Sequence, residues 1–328
     1  MKPQTRNILA TGAAFVLALI ASQPAHAGMA LTTAGTNAGF TLTTFVDGFP
    51  TTGPVCCGPL GIAFPSSGGV LVSDYPGNLR LFSDTDGQHA GDVTPAQNYG
   101  SGNPTGLVAL GGYVYLAEQP AGQIVRLNND GTFSQNVVSL YFATGIAADP
   151  VTSLLYATSP FGGSPGVYSI DPAASTPTAT LFASGGFDGL TVDVSNRIIY
   201  ASGFDGYIRG FSLTSGSQVF VSATSIPGGI DGVALGTGGL AGKLFVNTNA
   251  GTVYQYDRAD DSLLLIASGG SRGDFVTADP NGTVLLTQYD SILRLTAPQG
   301  SGFGDAPEPG TVVMLLSGLG VLAFRKRR

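Results

Sequence analysis

Residues 188–222 read DGLTVDVSNRIIYASGFDGYIRGFSLTSGSQVFVS, and this stretch decides the fold. It contains four short runs rich in β-branched and aromatic residues, at 189–193, 198–202, 207–211 and 218–222. Glycine, asparagine, aspartate and serine separate the runs, as they do in tight turns between strands. The pattern predicts a four-stranded antiparallel meander. Both faces of such a sheet would be apolar, so it needs neighbouring copies to cover them.

Copies of this unit recur along most of the chain. Their first strands begin at six places, separated by steps of 45, 39, 44, 43 and 43 residues: Leu60, Thr105, Thr144, Asp188, Asp231 and Asp274. A second and a third strand-like run follow each start. Four-stranded units repeated at this spacing are typical of propeller blades. The sequence therefore predicts an all-β fold, a six-bladed β-propeller of four-stranded antiparallel blades.

The ring also has a predicted closing strand. The last repeat ends after its third strand, near Thr296, whereas residues 40–46 (FTLTTFV) form a strand-like run outside the repeats. If 40–46 supplies the fourth strand of the last blade, the ring is shut and no blade edge stays open. The predicted propeller then spans residues 40–297, with a flexible lead-in at 28–39 and a flexible, glycine-rich linker at 298–306.

Residues 1–27 have the parts of a secretory signal peptide. Lys2 and Arg6 form a positive n-region, and residues 8–21 form an apolar h-region. Ala25-His26-Ala27 is an A-x-A cleavage site that leaves Gly28 as the new N-terminus. This predicts export through the Sec translocon and cleavage by signal peptidase.

The mature chain is acidic and poor in histidine. Between residues 28 and 306 there are 19 Asp and one Glu against one Lys and seven Arg, a net charge of about −12. Nothing resembles a basic stripe that could neutralise phosphates, which disfavours nucleic acid as a partner. The charge suits a soluble exported protein or one that meets cations. His89 is the one histidine left after cleavage, which argues against a Ser-His-Asp triad or a multi-histidine metal site.

Residues 307–328 form a tail of different composition. Pro307-Glu308-Pro309 is followed by an apolar run at 310–324, predicted to be a helix, and by the basic cluster Arg325-Lys326-Arg327-Arg328. As a helix the run would be about 22 Å long, somewhat short of a bilayer core. The basic cluster would remain cytoplasmic and place the propeller outside. On these residues alone, the tail is typical of a C-terminal membrane anchor.

The order of these three parts resembles the PEP-CTERM sorting signal over residues 307–328. The resemblance implies a Gram-negative bacterium in which an exosortase processes the tail near Pro307-Glu308-Pro309, after a transient stay in the inner membrane. It also implies delivery to the cell surface or the exopolysaccharide layer, where the polysaccharide or surface proteins would be partners. A permanent inner-membrane anchor is the alternative.

Three aspartates are the main candidates for a functional site. Asp188, Asp231 and Asp274 occupy the same place in successive repeats, at 43-residue steps. In a meander, the loops that lead into first strands share one face of the ring with the turns after second strands. Those turns add Asp74, Glu118 and Asn249. Their oxygen atoms could hold a hard cation such as Ca²⁺. Alternatively, each aspartate bonds backbone N–H groups as an Asx-turn does.

Cys56 and Cys57 are adjacent and are the only cysteines. In the oxidising cell envelope they could form a vicinal disulfide, remain free thiols or bridge two molecules. A vicinal disulfide would be a rigid platform or redox group near the channel mouth, or a bridge that only stiffens the loop before the first blade.

Two pairs of segments carry a second resemblance. They are Gly61-Ile-Ala-Phe64 with 70–82, and 145–149 with 154–156. They resemble the NHL and SMP-30/strictosidine synthase-like group of six-bladed propellers, over most of residues 60–296. Enzymes of that group use a Glu, Asn and Asp set around a metal, whereas Glu118 is the one glutamate of the mature propeller and lies in a loop.

These observations favour a non-enzymatic, exported propeller that acts as a binding or matrix module at the cell surface or in the exopolysaccharide layer. No catalytic residue is assigned. The alternative is a metal-dependent hydrolase of the SMP-30/lactonase-like kind that uses the aspartate-rich face, with Ca²⁺ as the candidate metal. The two hypotheses differ in whether Asp188, Asp231 and Asp274 converge or bond separate backbone groups.

Overall fold

The computed structural model describes residues 28–53 and 57–304, which form a ring of six antiparallel blades. In blades 1 to 5 the four strands follow one another in chain order, as a meander requires, whereas blade 6 takes its fourth strand from the N-terminal side of the chain. Blade 1 consists of Pro59–Ala63, Val70–Asp74, Asn78–Phe82 and Gln97–Asn98. Blade 2 consists of Pro104–Leu110, Tyr113–Glu118, Gln123–Leu127 and Phe133–Ser139. Blade 3 consists of Ile146–Asp149, Leu154–Ser159, Gly166–Ile170 and Ala179–Ser184. Blade 4 consists of Phe187–Asp193, Ile198–Gly203, Ile208–Ser212 and Gln218–Val221. Blade 5 consists of Ile230–Gly238, Lys243–Thr248, Val253–Asp257 and Leu263–Ser268. Blade 6 consists of Val276–Ala278, Val284–Thr287, Ile292–Thr296 and Thr41–Asp47.

The strand Thr41–Asp47 closes the ring. It pairs antiparallel with Ile292–Thr296, the third strand of blade 6, and places Thr41 opposite Thr296. On its other side it pairs in parallel with the two-residue strand Gln88–His89. The six-bladed propeller and its closure by an N-terminal strand are thus confirmed.

A glycine near the start of the first strand allows a close contact between neighbouring blades. A Cβ atom placed on Gly61 or Gly145 would lie 2.1 Å from a backbone oxygen of the next blade, and on Gly189 it would lie 2.2 Å from the backbone oxygen of Asp231. Side chains cannot approach backbone this closely, so glycine alone lets the inner strands pack side by side. The geometry of the ring therefore requires the glycine that recurs in the repeats.

A side-chain hydroxyl on the second strand secures the same contact. The Oγ of Ser202 accepts a hydrogen bond of 2.8 Å from the N–H of Gly189 and donates one to the backbone oxygen of Asp231 in the next blade. Ser73 and Thr158 make the same pair of bonds in blades 1 and 3. Backbone groups left unpaired by the irregular start of the strand are thereby satisfied.

The apolar core lies between the blades rather than at one centre. In the space between blades 4 and 5, for example, Tyr200 and Ile208 pack in one cluster with Val233 and Leu244. Every blade takes part in clusters of this kind with its neighbours. This is why the predicted strands are apolar on both faces.

Parts of the predicted lead-in at 28–39 and of the predicted linker at 298–306 form short strands that pair with blade 5. Ala30–Leu31 pairs with the outer strand of blade 5 and is followed by the short helix Thr33–Asn37. Ser301–Phe303 pairs with the end of Ile230–Gly238. Phe303 is 3% exposed, and its ring centroid lies 4.7 Å from that of Phe245. One buried aromatic ring thus holds a segment whose glycine content predicted no packing.

Several predicted features lie outside the described residues. These are the signal peptide at 1–27, Cys56, and the tail at 307–328 with its apolar helix. Within residues 28–53 and 57–304, no helix has the length and apolar character needed to span a bilayer. The boundaries of the signal peptide and of the tail stay predictions.

Candidate functional site

Asp188, Asp231 and Asp274 come together where the chain passes into blades 4, 5 and 6. The first strands of blades 4 and 5 each carry a β-bulge, at Asp188 and at Asp231. At a bulge the first strand has more residues than the segment of the second strand that pairs with it. The three carboxyl groups interact electrostatically with one another and with the guanidinium of Arg272. We call these four residues the aspartate–arginine cluster.

Arg272 is the cation of the cluster and lies in the loop before blade 6. Its Nε donates a hydrogen bond of 2.8 Å to Oδ1 of Asp274, and its Nη2 lies 2.7 Å from the same oxygen. The distance from Nη2 to Oδ2 of Asp231 is 3.6 Å. One guanidinium therefore faces three carboxyl groups, so full ionisation would leave the cluster with an excess of negative charge.

Asp231 is the most buried member of the cluster, at 4% exposure. Its Oδ1 accepts a hydrogen bond of 2.9 Å from Nδ2 of Asn249. Its Oδ2 is buried and receives no hydrogen bond from the described residues. A buried carboxylate with one unpaired oxygen is costly, which favours the protonated form. Burial also raises the pKa of Asp274, while the charge and hydrogen bond of Arg272 oppose the increase.

The pKa values of the cluster follow from burial and mutual repulsion. Burial, with the charge of Asp274, raises the pKa of Asp188 to about 7. Burial, with the charges of Asp188 and Asp274, raises the pKa of Asp231 to about 9, while Arg272 opposes both increases. Interacting groups titrate as one unit. At neutral pH the cluster therefore retains protons, and Asp231, whose pKa is raised most, is the carboxyl group that most favours holding one.

The cluster is a poor fit for a metal ion. The guanidinium of Arg272 binds Asp274 and faces Asp231, so it competes for the oxygen atoms that would coordinate a cation and repels its charge. In the part of the chain that the structure describes, no three His, Cys, Asp or Glu side chains are arranged to hold a metal ion. The Ca²⁺ hypothesis therefore lacks a donor set here, and Arg272 supplies the positive charge.

Two of the predicted face residues bind elsewhere. Asp74 is buried and accepts hydrogen bonds from Asn78 and Arg80, which fixes the turn after the second strand of blade 1. Glu118 accepts a hydrogen bond from Gln123 within blade 2, and burial raises its pKa. Of the turn residues predicted for this face, Asn249 is the one that contacts the cluster.

Arg272 was missed by sequence reasoning. The available signal was its position two residues before Asp274, in the stretch Gly270-Ser-Arg-Gly-Asp274, within a chain that has few basic residues. The repeat pattern hid it because blades 4 and 5 have no arginine at the equivalent place.

Cys57 is disulfide-bonded and buried. Its backbone N–H also donates a hydrogen bond of 3.0 Å to Oγ1 of Thr52. Cys56, the other member of the predicted pair, lies outside the described residues. The vicinal disulfide therefore stays a prediction.

Comparison with known proteins identifies the tail. Residues 305–328 match the PEP-CTERM protein-sorting motif, which confirms the resemblance seen over 307–328. The motif implies exosortase processing, export and a transient C-terminal membrane anchor. None of the curated proteins matches this chain.

Solved structures similar to the propeller include a gluconolactonase and a chain of a nidogen/laminin complex. A gluconolactonase from Xanthomonas campestris is 19% identical with a TM-score of 0.64, and the match covers 83% of this chain and 95% of that one. A proposed gluconolactonase is 17% identical with a TM-score of 0.62, covering 82% and 95%. A chain of a nidogen/laminin complex is 16% identical with a TM-score of 0.57, covering 72% and 97%. At these identities the likeness shows the fold.

The expectation that the chain is not an enzyme is wrong. It rested on the lack of a metal-binding glutamate in an early strand, whereas the structures that match this fold over most of their length include gluconolactonases. The likeness is visible in three dimensions and not in the sequence, because these structures are 19% identical to this chain or less.

Proposed function

We propose that this protein is an exported hydrolase that opens a lactone or ester by acid–base catalysis at the aspartate–arginine cluster. The observation that carries the proposal is the convergence of buried carboxyl groups on one guanidinium, where burial raises the pKa of Asp188 to about 7 and that of Asp231 to about 9. Carboxyl groups whose pKa values are pushed apart can act as base and acid at one pH. The similar fold of gluconolactonases supports a sugar-derived lactone as the substrate class.

Each member of the cluster has a role that its surroundings suit. Asp188 is half-buried and ionises near neutral pH, so it acts as the general base. Asp231 keeps its proton and acts as the general acid. The side chain of Arg272 is 39% exposed while it is anchored to Asp274, so the rest of its guanidinium is free to donate hydrogen bonds to a carbonyl oxygen.

The reaction consumes one water and one ester bond. Asp188 takes a proton from the attacking water as its oxygen bonds to the carbonyl carbon, and Arg272 stabilises the negative charge that develops on the carbonyl oxygen. The ester C–O bond then breaks, and the leaving oxygen receives the proton of Asp231. The proton that Asp188 took from water then returns to Asp231 and restores the cluster. The product is a hydroxy acid.

Replacing Asp188 with asparagine is expected to lower kcat/KM for glucono-δ-lactone by about 10²–10⁴-fold, because general base catalysis contributes an effect of this size. Hydrolysis is followed by acid release in a pH-stat. The wild-type profile should be bell-shaped, rising through about pH 7 as Asp188 ionises and falling through about pH 9 as Asp231 does. A chelator should leave the rate unchanged.

Asp205→Asn is the matched control, because Asp205 is exposed and pairs with Arg209. It should keep the wild-type rate and pH profile. Activity that disappears with the chelator and returns with Ca²⁺ would contradict the metal-free mechanism. Equal rates for wild type and Asp188→Asn on a panel of lactones and aryl esters would contradict the hydrolase.

We propose further that exosortase cleaves the tail near Pro307-Glu308-Pro309 and releases the propeller to the cell surface or exopolysaccharide layer. The supporting feature is the match of residues 305–328 to the sorting motif. In a host with exosortase, the mature protein should lack the apolar run at 310–324 by intact mass and should leave the membrane fraction.

Deleting the exosortase gene should keep the full tail on the protein and hold it in the inner membrane. Replacing Pro307, Glu308 and Pro309 with alanine should do the same in the normal host, whereas alanine at Gln299 in the region before the motif should not. Retention of the complete tail in the normal host would instead favour a permanent anchor.

A further inference from the structure

A cleft lined by aromatic rings and serines lies between blades 2 and 3. It has a volume of about 400 Å³, and its main lining residues are Ser139, Tyr141, Ser159, Phe161, Ser164 and Tyr168. We call it the aromatic cleft. Tyr141 lies in the loop that leads into blade 3, and Phe161 lies in the turn after the second strand of that blade. The cleft therefore opens at the same face of the ring as the aspartate–arginine cluster.

The rings form a continuous exposed array. Phe161 packs edge-on against Phe142, with ring centroids 5.0 Å apart, and stacks on Phe204 of blade 4 at 5.6 Å with an interplanar angle of 23°. Tyr141, Phe161 and Phe204 are 65%, 50% and 48% exposed. Large aromatic rings are rarely clustered in water without a ligand to cover them.

The backbone around the cleft is shaped to hold these rings. Phe142 has φ of 53°, a conformation that bulky residues seldom adopt and that is typical of functional loops. A Cβ atom on Gly162 would lie 2.9 Å from the ring of Tyr141, so glycine is needed where that ring crosses the turn. The Oγ of Ser159 donates a hydrogen bond to the backbone oxygen of Tyr141. The array is therefore fixed before any ligand arrives.

We propose that the aromatic cleft binds a neutral saccharide, with one pyranose ring in the cleft and a second unit over Phe161 and Phe204. A pyranose presents a face of C–H groups that packs on an aromatic ring, and a rim of hydroxyl groups that pair with serine hydroxyls and backbone oxygens. The lining contains no charged side chain, so it offers nothing to neutralise an ionic ligand. Its volume is that of a small-ligand site.

A protein partner is a weaker match for the same surface. A standard protein interface covers about 800 Å² on each side, whereas this site is a concave pocket with a short aromatic extension. Its lining also includes the exposed residues Ser139 and Ser164, whose hydroxyl groups can pair with those of a sugar. The proposal stands on the cleft alone and does not depend on hydrolysis at the aspartate–arginine cluster.

The test is calorimetric titration of the purified protein with neutral oligosaccharides of two to six glucose, mannose or galactose units. We expect one of these series to bind, and Phe161→Ala to weaken that binding at least about tenfold, since tenfold corresponds to about 1.4 kcal/mol. Phe133→Ala is the matched control. Phe133 is exposed to a similar extent, at 47%, but lies at the end of its strand away from Ser139 and the cleft, so its loss should leave the affinity unchanged.

Three results would overturn the proposal. They are no binding of any neutral series, binding that Phe161→Ala leaves intact, and tighter binding of a uronic-acid oligosaccharide or an apolar peptide than of every neutral sugar. Circular dichroism distinguishes loss of the site from loss of the fold, because Phe161 is half-exposed and its replacement should leave the blades folded. Hydrolase activity of Phe161→Ala separates this site from the aspartate–arginine cluster.

Discussion

Replacing Gly189 with alanine is expected to destabilise the propeller by about 3 kcal/mol or more. The new Cβ atom would lie 2.2 Å from the backbone oxygen of Asp231 and 2.9 Å from the Cα of Gly232. Both are backbone atoms of the next blade, so no side chain can rotate away and the blades themselves must separate. The free energy of unfolding in urea measures the effect.

Gly163→Ala is the matched control, because it should not lower the free energy of unfolding. Neither glycine lies in the left-handed region, and a Cβ atom on Gly163 meets no atom within 4 Å. Alanine at 163 should therefore be neutral or should stabilise by about 0.4–1 kcal/mol, because it restricts the unfolded chain. If Gly189→Ala unfolds at the same urea concentration as Gly163→Ala, the blades are not held at the distance that the structure shows.

Repetition is the reason that so much of the fold could be predicted. Each blade repeats one local pattern of strands and turns, so residues 188–222 predict the other blades as well. The closing strand could be predicted because the last repeat lacked a fourth strand and residues 40–46 formed a strand-like run outside every repeat. The steric role of the recurring glycine could not be predicted from the repeats. At Gly189 that role depends on the distance to Asp231, which lies in another blade.

Repetition also made part of the candidate site predictable. Equal spacing identified Asp188, Asp231 and Asp274, because equivalent positions in a ring lie near each other. It could not reveal Arg272, which occurs in one blade, nor could it exclude Asp74, whose partner Arg80 is local. The aromatic cleft was missed for a related reason. Tyr141, Phe161 and Phe204 belong to loops that differ from blade to blade, and the packing of neighbouring blades brings Phe161 and Phe204 side by side.

Replacing Arg272 with methionine is expected to lower the free energy of unfolding by about 2–3 kcal/mol at pH 8, and by much less at pH 5. Removing one partner of a buried ion pair costs about 3–5 kcal/mol, and the smaller figure allows for the 39% exposure of the Arg272 side chain. Without the guanidinium, the pKa values of Asp188, Asp231 and Asp274 should rise further, because Arg272 lowers each of them. Urea unfolding at both pH values measures the difference.

The sign of the pH dependence follows from the direction of these shifts. In the folded protein the pKa values of Asp188 and Asp231 lie above that of an unfolded aspartate, so protonation stabilises the fold. That stabilisation is complete below about pH 4 and is lost as the pH rises through about 7 and about 9. In Arg272→Met the loss should be larger at alkaline pH, and Asp274→Asn in the same chain should restore most of it by removing the buried carboxylate that Arg272 binds. Arg126→Met should show no such dependence, because Arg126 contacts Ser134, Gln135 and the ring of Tyr113. A pH-independent loss in Arg272→Met would mean that Arg272 acts through packing and that the aspartates do not share its charge.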